Sequence, residues 1–436
     1  MAHIEPFRAF RYDLAKVALA DVATQPYDKI TAPMQDRYYG ASPYNLVRII
    51  LGKRQAGDGP SESPYTRAAN FFREWRQQEI LRQDPQPSVY RYVQRFSAPL
   101  TASKDALQFE RHGFVALGKI EDYSAGVIFR HEQTLAKPKA DRLDLLRATK
   151  GHFGQIFMLY SDPSAEIDQT LASSDPPLAE MRDEYGVLHQ IWKVSDAGTI
   201  DLVRNKMRDK KLIIADGHHR YETALTYRNE RRAEKKAAQN PPAYEFAMMT
   251  FVNMENPGLL ILPTHRVVHG LADFSADSFR ERAGRFFTVD EADPSVSPER
   301  ATAMLREAGQ TGTALLAATR ERAFLLSRAK QAPEIFKGVS VRQQSLDVVQ
   351  LHKCLLEEVL GISEQAIRDQ ANITYVRDAA EALSSVRAAQ ANIAFLMNAA
   401  KIHQIRDIAF SGEVLPQKST DFYPKLLSGL AIYALE

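Results

Sequence analysis

The chain has almost no cysteine. Of 436 residues only Cys354 is one, so an intrachain disulfide is impossible and a zinc site built from several thiolates is excluded. It also lacks a long apolar run. The longest stretches, such as Leu259–Leu262, fall far short of the ~18 residues that a membrane span needs, and the start MAHIEPFRAF has no apolar core of signal-peptide length. A reducing, cytosolic compartment without membrane contact is therefore expected. Nor is there an excess of charge of either sign. Fifty-six Lys and Arg against 54 Asp and Glu leave +2, so no basic tail or stripe calls for nucleic acid. Internal repeats and low-complexity tracts are absent. What remains is ordinary globular material, 44% hydrophobic and 25% charged, and the length suggests two or three domains.

Periodicity places the elements. Ala68, Phe71, Phe72 and Trp75 recur at helical spacing and predict an amphipathic helix over 64–82. VYRYVQRF (89–96) alternates as a strand, and GFVALGKI (113–120) reads as a more buried one. A short strand, GVIFR (126–130), leads into HEQTL. DRLDLLRATKG (141–151) looks like a helix capped by Asp141 and stopped by Gly151. QIFMLY (155–160) is a buried strand, and LHQIWKV (188–194) is strand-like within a polar stretch. FAMMTFVN and LLILPTHRVVHG look like a hairpin-type strand pair. The tail alternates helices and strands, including LDVVQLHKCLLEEVLG, which places Cys354 in an apolar helical face as core. Before Pro241, the basic run with Arg228, Arg231, Arg232, Lys235 and Lys236 reads as a solvated helix end with cations at its C-terminus.

The sharpest segment is KKLIIADGHHRYETAL (210–225). Leu212–Ala215 run into Asp216 and Gly217, and a helical pattern with Tyr221, Ala224 and Leu225 on one face follows. This is strand, tight turn, helix. Gly217 lets a ligand approach the backbone. The first-turn N–H groups and the helix dipole favour an anion. Arg220 adds a fork that matches phosphate oxygens, and His218 and His219 add donors. A phosphate or nucleotide-phosphate site is the reading these residues support most. A metal held by the two histidines with Asp216 or His131 is the competing one, although no helical pair of histidines at i, i+4 is present. A purely structural turn is the third.

Two further groups carry chemistry. In His131-Glu132, a carboxylate at a strand end is a candidate general base for a hydroxyl, or a surface carboxylate beside a hydrogen-bonded histidine. In PQKSTDFYPK (416–425), Lys418, Ser419, Thr420 and Lys425 are potential phosphate contacts. That segment has no P-loop glycine spacing, so a structural loop and a site loop both stand. THR (264–266) is open in the same way.

Taken in order, PYDKI, SPYNLVRI, HEQTL with DRLDLL, IADGHHRYETAL, LPTHRVV, LDVVQLH and PQKSTDFYPK resemble one bacterial and archaeal family, domain of unknown function 1015, across nearly the whole chain. That family name implies no activity. A more distant resemblance does. The order HE, helix, buried strand, strand and DGHHR is similar to the ParB/sulfiredoxin-like fold, and within it to the free-serine kinases, over about residues 113–260. It implies a ParB/sulfiredoxin-like nucleotide-phosphate domain (113–270) with an insertion at about 161–200, and the alternating helices and strands of the tail, which it does not cover, add a C-terminal α/β domain (271–436); with an N-terminal extension (1–112) the whole is expected to be a mixed α/β (α+β) chain. The resemblance implies ATP or ADP with Mg²⁺ as cofactors and a small-molecule hydroxyl substrate, free serine or a relative. Glu132 becomes the base, with His131 and Asp216 beside it in the catalytic group. Gly217, His218, His219 and Arg220 become the phosphate turn, and Lys418, Ser419 and Thr420 join as further nucleotide contacts. No resident protein-ligated metal is expected.

Two departures stand out: His219 replaces the threonine of those kinases, and 85 positions separate His131 from Asp216. Sulfiredoxin chemistry needs a cysteine in the turn, which is absent. ParB-type DNA binding does not suit the near-neutral charge and the mixed tail. The alternatives to a kinase are a non-catalytic nucleotide-binding regulator and a metal-dependent phosphatase. Oligomeric state is left open.

Overall fold

The computed structural model describes residues 1–59, 61–99, 107–132, 136–234 and 241–435, and the class is mixed α/β, as expected. The chain divides into two compact units. The first comprises Met1–Arg130, Thr134–Leu260 and Pro424–Glu436; the second comprises His131–Gln133 and Ile261–Tyr423.

The first unit is built on a nine-stranded mixed sheet. In chain order its strands are β1 (Ile4–Glu5), β2 (Val89–Ser97), β3 (Gln108–Lys119), β4 (Ile128–Arg130), β5 (Ile156–Tyr160), β6 (Ala179–Arg182), β7 (Leu188–Val194), β8 (Leu212–Asp216) and β9 (Phe246–Asn253). Their spatial order is β4-β8-β5-β9-β3-β2-β7-β6, with β1 also on β3. Two neighbour pairs, β4 with β8 and β5 with β9, are parallel; the others are antiparallel. The central strand β9 is buried at every residue, as strands covered on both faces are. Phe114, Met158, Ile214 and Phe251 form its core. Gly113 permits a close approach there, because a Cβ would stand 2.7 Å from the Phe251 carbonyl.

Helix α1 (Pro64–Gln77) starts at a capping box in which Ser63 and Thr66 exchange bonds, and it buries Ala68, Phe72 and Trp75 as the spacing predicted. Helix α2 (Ala136–Thr149) starts earlier than expected. Asp141 therefore does not cap it: it lies in the helix body, where it accepts a hydrogen bond of 2.7 Å from Tyr65 Oη. Strand β3 is longer than its apolar segment because Gln108–Arg111 continue to pair with β2. It runs unbroken through residues 112 and 113. The polar region 161–200 supplies β6 and β7, which extend the sheet.

The expected hairpin between FAMMTFVN and LLILPTHRVV does not form. Strand β9 has both edges occupied by β3 and β5, and HRVV belongs to the other unit. The second unit holds a six-stranded, wholly antiparallel sheet made of β10 (His265–Val268), β11 (Thr288–Ala292), β12 (Ala314–Ala318), β13 (Ala323–Ser327), β14 (Ile373–Val376) and β15 (Ile393–Met397). Leu316, Leu396 and Leu383 sit in its core. Cys354 is buried, on a nine-residue π-helix, Leu351–Val359.

The C-terminal segment returns to the first unit. Phe10 and Ile432 exchange backbone hydrogen bonds, as do Thr24 and Ser428, and Tyr433 pairs with His152. No helix among the described residues is long and apolar enough to cross a membrane. Of the basic run expected at a solvated helix end, Arg228 is instead 1% exposed, bonded to the Ile120 carbonyl and Asp122. The basic Lys235 and Lys236 lie outside the described residues, as does the QTL of HEQTL.

Candidate functional site

Strand β8 ends at Asp216, and helix α3 (His218–Glu234) begins two residues later. The helix is anchored by its apolar face, with Tyr221 and Ala224 fully buried. Between them Gly217 takes φ +89°, a left-handed conformation that suits glycine. A second constraint acts on the same residue: a Cβ would stand 2.9 Å from Arg220 Nε and 3.0 Å from its Cζ. The guanidinium folds back over the glycine, and no larger residue leaves it room.

Arg220 is held on both sides. Nη2 donates to Asp216 Oδ2 at 2.9 Å, and Nη1 donates to the Gln155 carbonyl. Lys425 Nζ, itself 9% exposed, stands 3.5 Å from Asp216 Oδ1. Burial alone would push the Asp216 carboxyl up; Lys425, Arg220, Lys29 and His218 together hold it well below the usual carboxylate range. Lys29, Arg220 and Lys425 thus gather around one carboxylate, with Asp28 beside Tyr27. Cations gathered at the N-terminus of a 17-residue helix favour an anion.

Donors in the same place are unspent. Among the described residues, Arg220 Nε, Thr223 Oγ1 and both amide atoms of Gln155 are buried without a hydrogen-bond partner, and a buried polar group left unpaired costs on the order of 1–3 kcal/mol. Arg220 and Thr223 line a cavity of about 70 Å³, together with Tyr27, Arg142, Phe153 and Ser428. The Arg142 guanidinium lies 4.1 Å above the Tyr27 ring. Burial pushes the Tyr27 phenol up, and it also senses Arg142, Arg220 and Asp216. The lining combines apolar side chains (Leu145, Leu146, Phe153) with the guanidinium groups of Arg142 and Arg220, which suits an anion with an organic body.

Lys425 is positioned by its own backbone. Gln94 Nε2 donates to the Lys425 carbonyl at 2.9 Å, and Arg111 Nη2 donates to the Pro424 carbonyl at 2.5 Å. Arg111, 1% exposed, also donates from Nε to Gln94 Oε1 at 3.0 Å and stacks on Phe157.

The other expected residues gather within the second unit. The Lys418 N–H donates to Glu132 Oε1 at 2.7 Å, and Lys418 takes φ +57°, a strained conformation for a residue with a Cβ. Its carbonyl accepts from Arg266 Nη2 at 3.1 Å. His131 Nε2 lies 2.8 Å from Thr420 Oγ1, the His131 carbonyl accepts from the Leu415 N–H at 2.7 Å, and Glu132 bridges Leu415. The Ser419 hydroxyl donates to the Pro416 carbonyl at 2.6 Å. Thus the words HE, LPTHR and PQKST converge in this unit, while PYDKI, DGHHR and the Pro424-Lys425 pair converge in the first. The sequence reading did not place Tyr27, Lys29, Arg142, Gln155 or Thr223 at a site; the word PYDKI was the signal for the first two.

No group of three or more His, Cys, Asp or Glu among the described residues could hold a metal ion. Asp216 is already compensated by three cations, so its surroundings do not fit Mg²⁺.

Solved structures of similar outline include a mutant free serine kinase in complex with AMP, 11% identical, with a TM-score of 0.36 over 68% of this chain and 86% of that one. A conserved hypothetical protein from Pyrococcus furiosus is 12% identical, with a TM-score of 0.31 over 68% and 89%. SbnI with a C-terminal truncation, from Staphylococcus aureus, is 9% identical, with a TM-score of 0.33 over 72% and 85%. At these scores the likeness is one of broad outline and says nothing about chemistry. No curated protein matches the chain. The model of the family described as Protein of unknown function (DUF1015) matches residues 4–349, and the chain belongs to that family.

Proposed function

We propose that the chain binds a nucleotide, ATP or ADP, by its phosphates at the Asp216–Arg220 turn and transfers the terminal phosphoryl group to the hydroxyl of a small metabolite, free serine or a related compound. The observation that carries the first half is the gathering of cations around Asp216 beside a cavity whose wall holds unpaired donors. Arg220, Lys425 and Lys29 take the role of neutralising phosphate charge, which is the main demand of phosphoryl transfer. The second half rests on the motif resemblance, which assigns Glu132 as the base. The acceptor oxygen forms a bond to the terminal phosphorus as the bond to the nucleotide's bridging oxygen breaks. The hydroxyl proton passes to Glu132, and the negative charge leaves with the shortened nucleotide.

The test is a nucleotide titration by calorimetry combined with phosphorus NMR of a reaction with serine and other small hydroxy acids. Arg220→Ala is expected to weaken nucleotide binding at least about tenfold, the worth of one charge-assisted contact. Glu132→Gln is expected to keep binding and lose roughly 10²–10⁴-fold in turnover. Normal turnover in Glu132→Gln removes the base assignment. Binding without a phosphorylated product from any acceptor replaces the kinase with a nucleotide-binding regulator.

A further inference from the structure

We propose that the second unit contains a small-molecule pocket, built on the π-helix Leu351–Val359, for an uncharged heteroaromatic ligand that offers a hydrogen-bonding edge to His352. The inference is independent of the nucleotide reading, because every residue used lies in the second unit and none belongs to the Asp216 turn.

Three observations meet here. The first is a cavity of about 160 Å³ whose walls include Val349, Ile367 and Val414. The second is His352, which lines that cavity, is 6% exposed, and has no hydrogen-bond partner for Nε2 among the described residues. A buried ring nitrogen left so costs on the order of 1–3 kcal/mol unless something arrives to meet it. The third is the backbone. The Leu360 N–H donates to Leu355 O at 2.9 Å, the five-residue spacing of a π-helix. Such turns are rare, are seldom longer than one turn, and occur often at functional sites.

Charge and shape define the ligand class. The charged residues at the cavity, Lys353 with Glu357 at 2.8 Å and Arg368 with Glu364 at 2.5 Å, form closed ion pairs. Burial, with Arg266 and Lys353 near, keeps the His352 imidazole neutral. Arg266 does not line the cavity and donates to the Thr264 and Lys418 carbonyls; a formal ion entering would lose its hydration without meeting an unpaired opposite charge on the wall, so a neutral molecule is favoured. Apolar side chains (Val349, Ile367, Val414), the Tyr375 ring and the uncharged polar groups of His352, Gln343 and Gln417 line the cavity together, a mixture that matches a planar ring with a donor or acceptor edge, such as a nucleobase or a pyridine carboxamide.

Saturation-transfer NMR on the full chain tests this with uracil, adenosine and nicotinamide as neutral probes and benzoate and benzamidine as charged ones. At least one neutral probe is expected to bind, about tenfold more weakly in His352→Leu, and not at all in Val414→Trp, where an indole fills the cavity from its partly exposed edge. Arg220→Ala is expected to leave all of this unchanged, which separates failure here from failure of the nucleotide reading. Equal binding of the charged probes, wild-type affinity in Val414→Trp, or no neutral probe bound at millimolar concentration overturns the proposal. If His352→Leu does not fold, the Val414→Trp comparison decides alone.

Discussion

Lys425 and Asp216 lie nearly half the chain apart in sequence, yet Lys425 Nζ stands 3.5 Å from Asp216 Oδ1 with little of the lysine exposed. The pair ties the last segment of the first unit to the turn between β8 and α3. The backbone carbonyls of Pro424 and Lys425 are fixed independently by Arg111 and Gln94, so the ammonium is delivered from a rigid support. A nearly buried lysine is costly unless compensated, and Asp216 is shared between it and Arg220. The turn therefore holds its cations in place before any ligand arrives.

Removing one member of that arrangement separates structure from binding. Lys425→Met leaves Asp216 with less compensation and is expected to lower stability by roughly 1–3 kcal/mol, read by urea denaturation. Adding Asp216→Asn restores the net charge of the cluster at the expense of the Arg220 ion pair, and is expected to recover part of that loss. Nucleotide affinity, measured by calorimetry, is expected to stay at least about tenfold down in the double variant. Recovery of affinity along with stability would mean that the pair is only a structural tie.

Gly217→Ala tests the shape of the turn. The residue sits at φ +89°, and an added methyl meets the Arg220 guanidinium at about 3.0 Å. The strained backbone costs on the order of 1–3 kcal/mol, and the displaced guanidinium loses Asp216 and the Gln155 carbonyl. A drop in melting temperature with weakened nucleotide binding is the expected result; unchanged binding would show that Arg220 need not occupy this seat.

The sequence shows the strands and the turn well because their signals are local. Leu212–Asp216, Gly217 and the face of Tyr221 and Ala224 stand within a dozen residues, and β2, β5 and β7 fall within a residue or so of where alternation and apolar runs put them. The misreadings were non-local. The apolar words FAMMTFVN and HRVV look like partners along the chain, but β9 is claimed on both edges by strands far away in sequence. Asp141 has the chemistry of a cap, yet the helix already starts at Ala136. Lys29 and Tyr27 lie in an irregular N-terminal stretch with no periodicity, so only folding reveals that they face Asp216. In the same way, nothing local says that residues after Tyr423 rejoin the first unit.

Asp347 gives a pH signature in the second unit. Burial pushes its carboxyl up to about 7, against hydrogen bonds from Ala314, Thr313 and Asn398 and the charge of Lys401. Its folded pKa is thus above the unfolded value of about 3.9, so the folded chain holds more protons between those two values. The contribution to stability is greatest below about pH 4 and declines as pH rises toward 7. Asp347→Asn abolishes that decline. Its stability relative to wild type, from urea denaturation, is expected to rise by roughly 2–4 kcal/mol between pH 4 and pH 8; a flat difference would place the carboxyl at an ordinary value.

Gln94 decides whether Lys425 is positioned or merely present. Its amide accepts from Arg111 Nε at 3.0 Å and donates to the Lys425 carbonyl at 2.9 Å. Gln94→Leu removes these bonds together with those to Arg111 Nη2 and His189 Nδ1, and leaves a buried guanidinium without the Gln94 acceptor, so a loss of about 3 kcal/mol is expected. Gln94→Glu keeps the acceptor, and its charge compensates Arg111, but a carboxylate cannot donate to the Lys425 carbonyl and repels it. Stability near that of wild type with nucleotide affinity several-fold lower is the expected outcome for Gln94→Glu, measured by denaturation and calorimetry side by side. Affinity that simply tracks stability through both variants would assign Gln94 to the core alone, because only a positioning role lets binding fall while the fold holds.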